Sequence, residues 1–288
     1  MRSASPLRYP GGKWRIASFF NRLLDLNGAT GREYVEPYAG GASLALSLLI
    51  SGSVSKIHLN ELDPAIHAFW WSVLHRTDEL VRLVRTAKLS VREWSRQRDV
   101  YQVGSMKDRL TLGFATFYLN RTNHSGIMNG GVIGGRKQSG TWRMDARFNR
   151  GALVDRIRRI ADRKDDIRLY RKDALRFLRE RPFRDDALVY VDPPYFEHGS
   201  TLYLNAYEPD DHAGVAVEVR RMSGPWIVSY DDVSQIRKLY AGCRSRKLSL
   251  LHTARSAHLG QEVMFFSDGI RIPRMEGKRS IRQRLLTL

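Results

Sequence analysis

The chain has 288 residues, 42% hydrophobic and 27% charged, a globular composition that excludes disorder, collagen and repeat arrays. At that length a core closes over roughly 70–75% of the unfolded surface without staples, and the single cysteine, Cys243, cannot form an internal disulfide. The longest apolar runs, such as 42–50, fall short of the ~20 residues of a spanning helix, and the first residues lack the apolar stretch of a signal peptide, so a cytoplasmic setting with no membrane is expected.

Forty-eight Lys and Arg against 30 Asp and Glu leave +18, and 38 of the 48 are Arg. Planar guanidinium suits phosphate and guanine edges, so a polyanion is the expected partner; a GC-rich coding sequence inflates Arg as well.

In chain order, Ile16, Phe19, Phe20, Leu23 and Leu24 recur at helical spacing. EYVEPY then reads as a strand that breaks at Gly40-Gly41 into the apolar helix ASLALSLLI. Residues 56–60 form a second strand, ending at Glu61 and followed by a helix led by Pro64. From about Glu79 to Arg150 the texture turns polar and basic, then rich in Gly, Asn and Ser. Alternation resumes with helix 151–163, strand 167–170, helix 173–179, strand 187–191, helix 212–222 and strand 226–228; segments 249–253 and 262–267 are expected to close the sheet as a hairpin. The expected fold is α/β: a Rossmann-like, mostly parallel sheet with a C-terminal antiparallel hairpin and an inserted helical, loop-rich module. Its parts are 1–75 and 151–288 for the catalytic domain and 76–150 for the insertion.

Four constellations carry chemistry. The turn Glu36–Gly41 lets backbone approach a ligand at a helix start, but it has neither the GxGxxG spacing nor a P-loop Lys, and a plain tight turn gives the same pattern. Glu61, about 20 residues after the glycines, can accept both hydroxyls of a ribose; a solvated carboxylate there is the alternative. Asp192-Pro193-Pro194-Tyr195 follows the apolar strand ALVYV, and its prolines leave carbonyls with no N–H beside them. The Asp192 carboxylate and Pro193 carbonyl suit the two N–H groups of a planar amine, with Tyr195 stacking on its ring. The turn before Lys13 presents that residue as an anchor for a carboxylate. Scattered His and one Cys give no metal spacing.

Together RYPGGK, VEPYAGGAS, HLNELD and VYVDPPY resemble the Dam-type family of S-adenosyl-L-methionine-dependent DNA adenine-N6 methyltransferases, and FYLNRTNHSG resembles that family's target-recognition region. The resemblance implies that Tyr9, Lys13, Tyr38, Gly40, Glu61, Asp173 and Asp192 contact the cofactor, with Lys13 at its carboxylate and Glu61 at its ribose. Asp192 through Tyr195 would hold a flipped adenine, the base attacking the methyl group directly. Asn120, Arg121, Asn123, His124, Arg136, Lys137 and Arg143 would meet double-stranded DNA, with Asn120 and Arg121 partly fixing the loop. The enzyme is expected in the cytoplasm at the nucleoid, acting with or without a cognate restriction endonuclease, and to need no metal. Other planar amines (cytosine N4, adenine in structured RNA, protein glutamine) and a decayed DNA-binding scaffold are the competing readings. Cytosine-C5 chemistry lacks its cysteine nucleophile.

Overall fold

The computed structural model describes residues 3–9, 12–197, 207–252 and 258–274. Its frame is a seven-stranded sheet in the order β3-β2-β1-β4-β5-β7-β6, with β1 at Glu33–Glu36, β2 at Lys56–Asn60, β3 at Ile167–Tyr170, β4 at Leu188–Val191, β5 at Trp226–Asp231, β6 at Arg244–His252 and β7 at His258–Phe266. The first five strands run parallel, and β7 inserts antiparallel between β5 and β6. This is the expected fold. The closing hairpin is longer than the apolar runs suggested, since β6 starts at Arg244 in polar sequence; Thr253, assigned to that strand from sequence, lies outside the described residues, as do Pro10, Gly11 and residues 275–288.

Strand residues alternate between two apolar layers, as the period of two requires. Tyr34, Ile57, Tyr190 and Phe266 face one layer with Phe20 and Leu24 of α1 (Ala17–Leu26) and Leu46 of α2 (Ser43–Ile50). Val35, Val189, Val191 and Phe265 face the other, with Phe177 of α8 (Ala174–Glu180), Val215 of α9 (Pro209–Arg220) and Ile236 of α10 (Ser234–Leu239). Helix α3 (Pro64–His75) starts where expected: Pro64 opens it and the Asp63 carboxylate accepts from the N–H groups of Ala65 and Ile66.

The segment rich in Gly and Arg lies in the crossover from β2 to β3. It holds α4 (Thr77–Thr86), α5 (Val91–Val103) and α6 (Arg109–Thr122), then an irregular loop that ends at α7 (Arg150–Ala161). Helix α6 packs on α3 so closely that a Cβ on Gly113 would lie 2.6 Å from the Ala68 carbonyl oxygen. Phe117 stacks on Phe69 at 5.7 Å, so residues of α6 share the first apolar layer.

Candidate active site

The parallel strands β1 to β4 deliver their carboxyl ends to one cavity of about 470 Å³. Its floor is the turn after β1. Gly40 has φ +46°, and a Cβ there or on Gly41 would come within 2.6–2.7 Å of the Tyr9 side chain. Glycine is required twice over at position 40, by conformation and by the tyrosine lying across it. Trp70 of α3 donates to the Gly40 carbonyl at 2.8 Å, so the turn is held from beneath.

Glu61 closes one side of the cavity. Its carboxylate accepts from the Gly40 N–H at 2.7 Å and the Asp63 N–H at 2.9 Å. Burial, with the Asp63 charge nearby, pushes its pKa up to about 7 against those two N–H groups. Glu36, also lining the cavity, is pushed by burial to about 8, although the Ala45 N–H and the Tyr34 hydroxyl favour its ionised form. Asn60 donates to the carbonyls of Pro37 and Lys172 and accepts from the Lys172 N–H, tying three cavity loops together. Tyr38 meets Tyr207 hydroxyl to hydroxyl at 3.0 Å. Asp173 is placed differently from the sequence reading: it is exposed and caps α8 through the Arg176 N–H at 3.0 Å, while its neighbours Lys172 and Ala174 line the cavity.

Asp192 and Pro194, just past the end of β4, also line the cavity. Asp192 keeps 22% of its side chain accessible, against 5% for Lys13 and 1% for Glu262, so it is the member of this group that a ligand can reach. Its second oxygen pairs with Lys13 Nζ at 3.0 Å. Its first accepts from Ser229 Oγ at 2.5 Å, and Tyr190 Oη is 2.7 Å from the same hydroxyl. Burial and the Glu262 charge raise the Asp192 pKa above the usual carboxylate range, while Lys13 and Ser229 oppose the rise.

Lys13 does not extend as a lone cation. Its ammonium also donates to Tyr195 Oη at 3.1 Å and to Glu262 at 3.3 Å, and the Tyr195 hydroxyl donates to Glu262. Burial works against the charge, but these oxygens overcome it and hold the Lys13 pKa well above the ordinary value. The geometry therefore puts Lys13 with Asp192 and Tyr195 at the wall of the cavity. Beyond Tyr195, the Asp231 carboxylate accepts from the N–H groups of Phe196 and Glu197 at 3.0 and 3.1 Å, fixing the loop after the two prolines. Glu262 and Ser229 were not legible as site residues, because their strands pair into the sheet only through long-range contacts.

The loop residues of the insertion divide by burial. Asn120 is 1% exposed and bonds both the N–H and the carbonyl of Arg8 at 2.7 Å. Asn123, at 0%, accepts from Trp94 Nε1 and donates to the carbonyls of Ile127 and Met128. Both amides are spent inside the protein, where they shape the loop that brings Gly126 through Asn129 to the cavity. Arg121 is half-buried and donates to the Arg147 carbonyl at 2.8 Å. Burial and the charges of Arg8, Arg156 and Arg147 push its pKa down to about 9. His124, Arg136, Lys137 and Arg143 are exposed, as is Trp142, which has the Arg147 guanidinium over its ring at 5.8 Å.

Among the described residues no group of three or more His, Cys, Asp and Glu forms a metal site, and no helix is long and apolar enough to cross a membrane. No curated protein matches the chain. Among solved structures it is similar to protein LPL1258 from Legionella pneumophila, at 10% identity and a TM-score of 0.34, over 96% of this chain and 91% of that one. The family model of the D12 class N6 adenine-specific DNA methyltransferases matches residues 9–254. A match over that span, across a sheet of this topology with Asp-Pro-Pro-Tyr at the cavity, means that the chain belongs to the D12 class of adenine-specific DNA methyltransferases.

Proposed function

We propose that the enzyme uses S-adenosyl-L-methionine to methylate the N6 amine of an adenine flipped out of duplex DNA. The observation that carries this reading is the accessible Asp192 carboxylate beside Pro194, facing the cavity that Glu61 and Gly40 also line. The cavity's donor set fits the cofactor: a carboxylate at a strand end suits a ribose diol, and the glycine turn admits a ligand close to backbone. Tyr9, Tyr38, Gly40 and Glu61 would hold the nucleoside. When bound, S-adenosylmethionine supplies a methyl group on a sulfonium, which the amine lone pair takes as the C–S bond opens to a neutral thioether, the amine then releasing one proton. Asp192 accepts an N–H of the adenine amine and keeps its lone pair directed at the methyl, positioning and charge placement supplying most of the acceleration. Pro193 offers its carbonyl for the second N–H.

Extruding a base requires a firm hold on the strand, and the Arg8, Arg121, Arg147 and Arg156 group, mutually repelling in a half-buried site, supports contact with DNA phosphate. Arg136, Lys137 and Arg143 are available on the exposed loop for phosphates or base edges. The test is incubation with unmethylated duplex DNA and S-adenosylmethionine, followed by digestion to nucleosides and mass spectrometry. N6-methyladenine is expected; methylcytosine would move the target base, and no methylated nucleoside would overturn the reading.

Cofactor affinity should depend on pH through Glu61. The ionised carboxylate accepts the diol hydrogen bonds and the protonated form competes with them, so affinity rises as pH passes upward through about 7 and then levels. Between pH 6 and 8 the dissociation constant should fall by about tenfold. Titration calorimetry on Glu61→Gln should find that slope gone; an equal slope in the variant would remove Glu61 from the ribose site.

A further inference from the structure

We infer that Glu262 is a positioning residue for methyl transfer, setting the charge and orientation of the Asp192 site through Lys13 and Tyr195. The inference rests on the proposed role of Asp192. Glu262 lies on β7 opposite Asp231 of β5 and is 1% exposed, too deep to touch a ligand. Two carboxylates share one ammonium, Asp192 at 3.0 Å and Glu262 at 3.3 Å. Lys13 has three N–H groups, and Asp192, Glu262 and the Tyr195 hydroxyl supply one acceptor for each.

Two consequences follow. With Glu262 present, Lys13 divides its charge between two carboxylates, and Asp192 keeps acceptor strength toward the adenine amine. Without it, Lys13 pairs with Asp192 alone and weakens that acceptor. The Tyr195 hydroxyl also donates to Glu262, and a charged acceptor fixes a phenol more firmly than a neutral one. Because Tyr195 follows directly on the two prolines, holding its ring holds the backbone that presents the Pro193 carbonyl. Asp192 is faced by Lys13 from the turn before α1, by Glu36 and Tyr34 from β1, by Tyr190 from β4, by Ser229 and Tyr230 from β5, by Tyr195 from the following loop, and by Glu262 from β7. Of the two other carboxylates in that set, Glu262 is the one that shares an ion pair with Lys13.

The test is Glu262→Gln, nearly isosteric, in the full chain. At pH 8 its kcat should fall by about 10–100-fold, with KM for DNA and for S-adenosylmethionine changed by less than about threefold. The acidic limb of its pH–kcat profile should move to lower pH, because a negative charge that favours protonated Asp192 is gone. A readout independent of turnover is the Asp192 side-chain carboxyl carbon, followed by NMR in protein labelled at aspartate and identified by its loss in Asp192→Asn; it should titrate at lower pH in Glu262→Gln than in wild type. If Glu262→Gln fails to fold, Glu262→Asp keeps the charge but withdraws the acceptor from Tyr195, and should lower kcat with little movement of the Asp192 titration. An unmoved Asp192 titration together with wild-type kcat in Glu262→Gln overturns the inference. The same holds for wild-type kcat in Glu262→Asp, if that is the variant that folds. A wild-type enzyme that methylates no nucleoside fails the functional reading instead, while the NMR titration still decides the electrostatic claim.

Discussion

Asp192→Ala should lower methyl transfer under single-turnover conditions by at least about 10³-fold, on the order of 4 kcal/mol of transition-state stabilisation, while DNA affinity stays within about threefold. The first half follows from geometry: of the two carboxylates paired with Lys13, Asp192 is the one that lines the cavity, and alanine leaves no side-chain acceptor just past β4. The second follows from where affinity resides. Phosphate contacts dominate protein–DNA binding, and the arginines around Arg121 are supplied by the N-terminal segment, α6, the loop after it and α7. The variant should also fold, because Lys13 retains Glu262 as its counter-charge. Arg121→Gln should behave in the opposite way, weakening binding on every sequence and reducing the salt slope by about one, with kcat at saturating DNA close to wild type. Filter binding across salt, paired with rapid-quench transfer, separates the two. An Asp192→Ala enzyme that turns over at near wild-type rate would end its assignment as the amine acceptor.

Gly113→Val should cost about 3 kcal/mol or more in denaturant unfolding at fixed pH. Glycine inside a helix is ordinarily a liability of about 1 kcal/mol relative to alanine, so a larger residue here would stabilise if propensity decided the outcome. Packing decides instead. The first added carbon would meet the Ala68 carbonyl oxygen at 2.6 Å, its carbon at 2.9 Å and Ser72 Oγ at 2.7 Å, two of them backbone atoms of α3, and overpacking of that kind typically costs about 1–3 kcal/mol before the valine methyls are counted. Gly131→Ala serves as the control, since a Cβ there meets nothing within 4 Å. The damage should also reach the site, because α3 carries Trp70 under the glycine turn and the last turn of α6 carries Asn120, which lines the cavity. Equal stability of the two variants would show that α6 shifts freely on α3.

Much of this was legible in the sequence, for identifiable reasons. The strand, glycine turn and helix of residues 33–50 were readable because φ preference and apolar runs are local properties. The same holds for the Pro64 helix start and for Asp192 at the end of ALVYV. What escaped were residues whose meaning is set by distant partners. Asn123 looked like a base-reading amide, since nothing local says that Trp94 and the carbonyls of Ile127 and Met128 will take its hydrogen bonds. Asp173 matched a binding position, yet its local context, three residues after a strand and just before a helix, is also that of a cap. Glu262 stood as a charge at the head of an apolar strand, and that was its only signal. Its connection to Lys13 depends on β7 inserting between β5 and β6, a pairing order that alternation alone does not encode.

The separation of Lys13 and Glu262 by 249 residues has a consequence for biosynthesis. A ribosome adds about 5–20 residues per second, so Lys13 is polymerised roughly 12–50 s before its second carboxylate. During that interval the ammonium has at most Asp192 to pair with, and burial without any counter-charge is unfavourable. The full cluster of Lys13, Asp192, Tyr195 and Glu262 can therefore be completed only after β7 has joined the sheet.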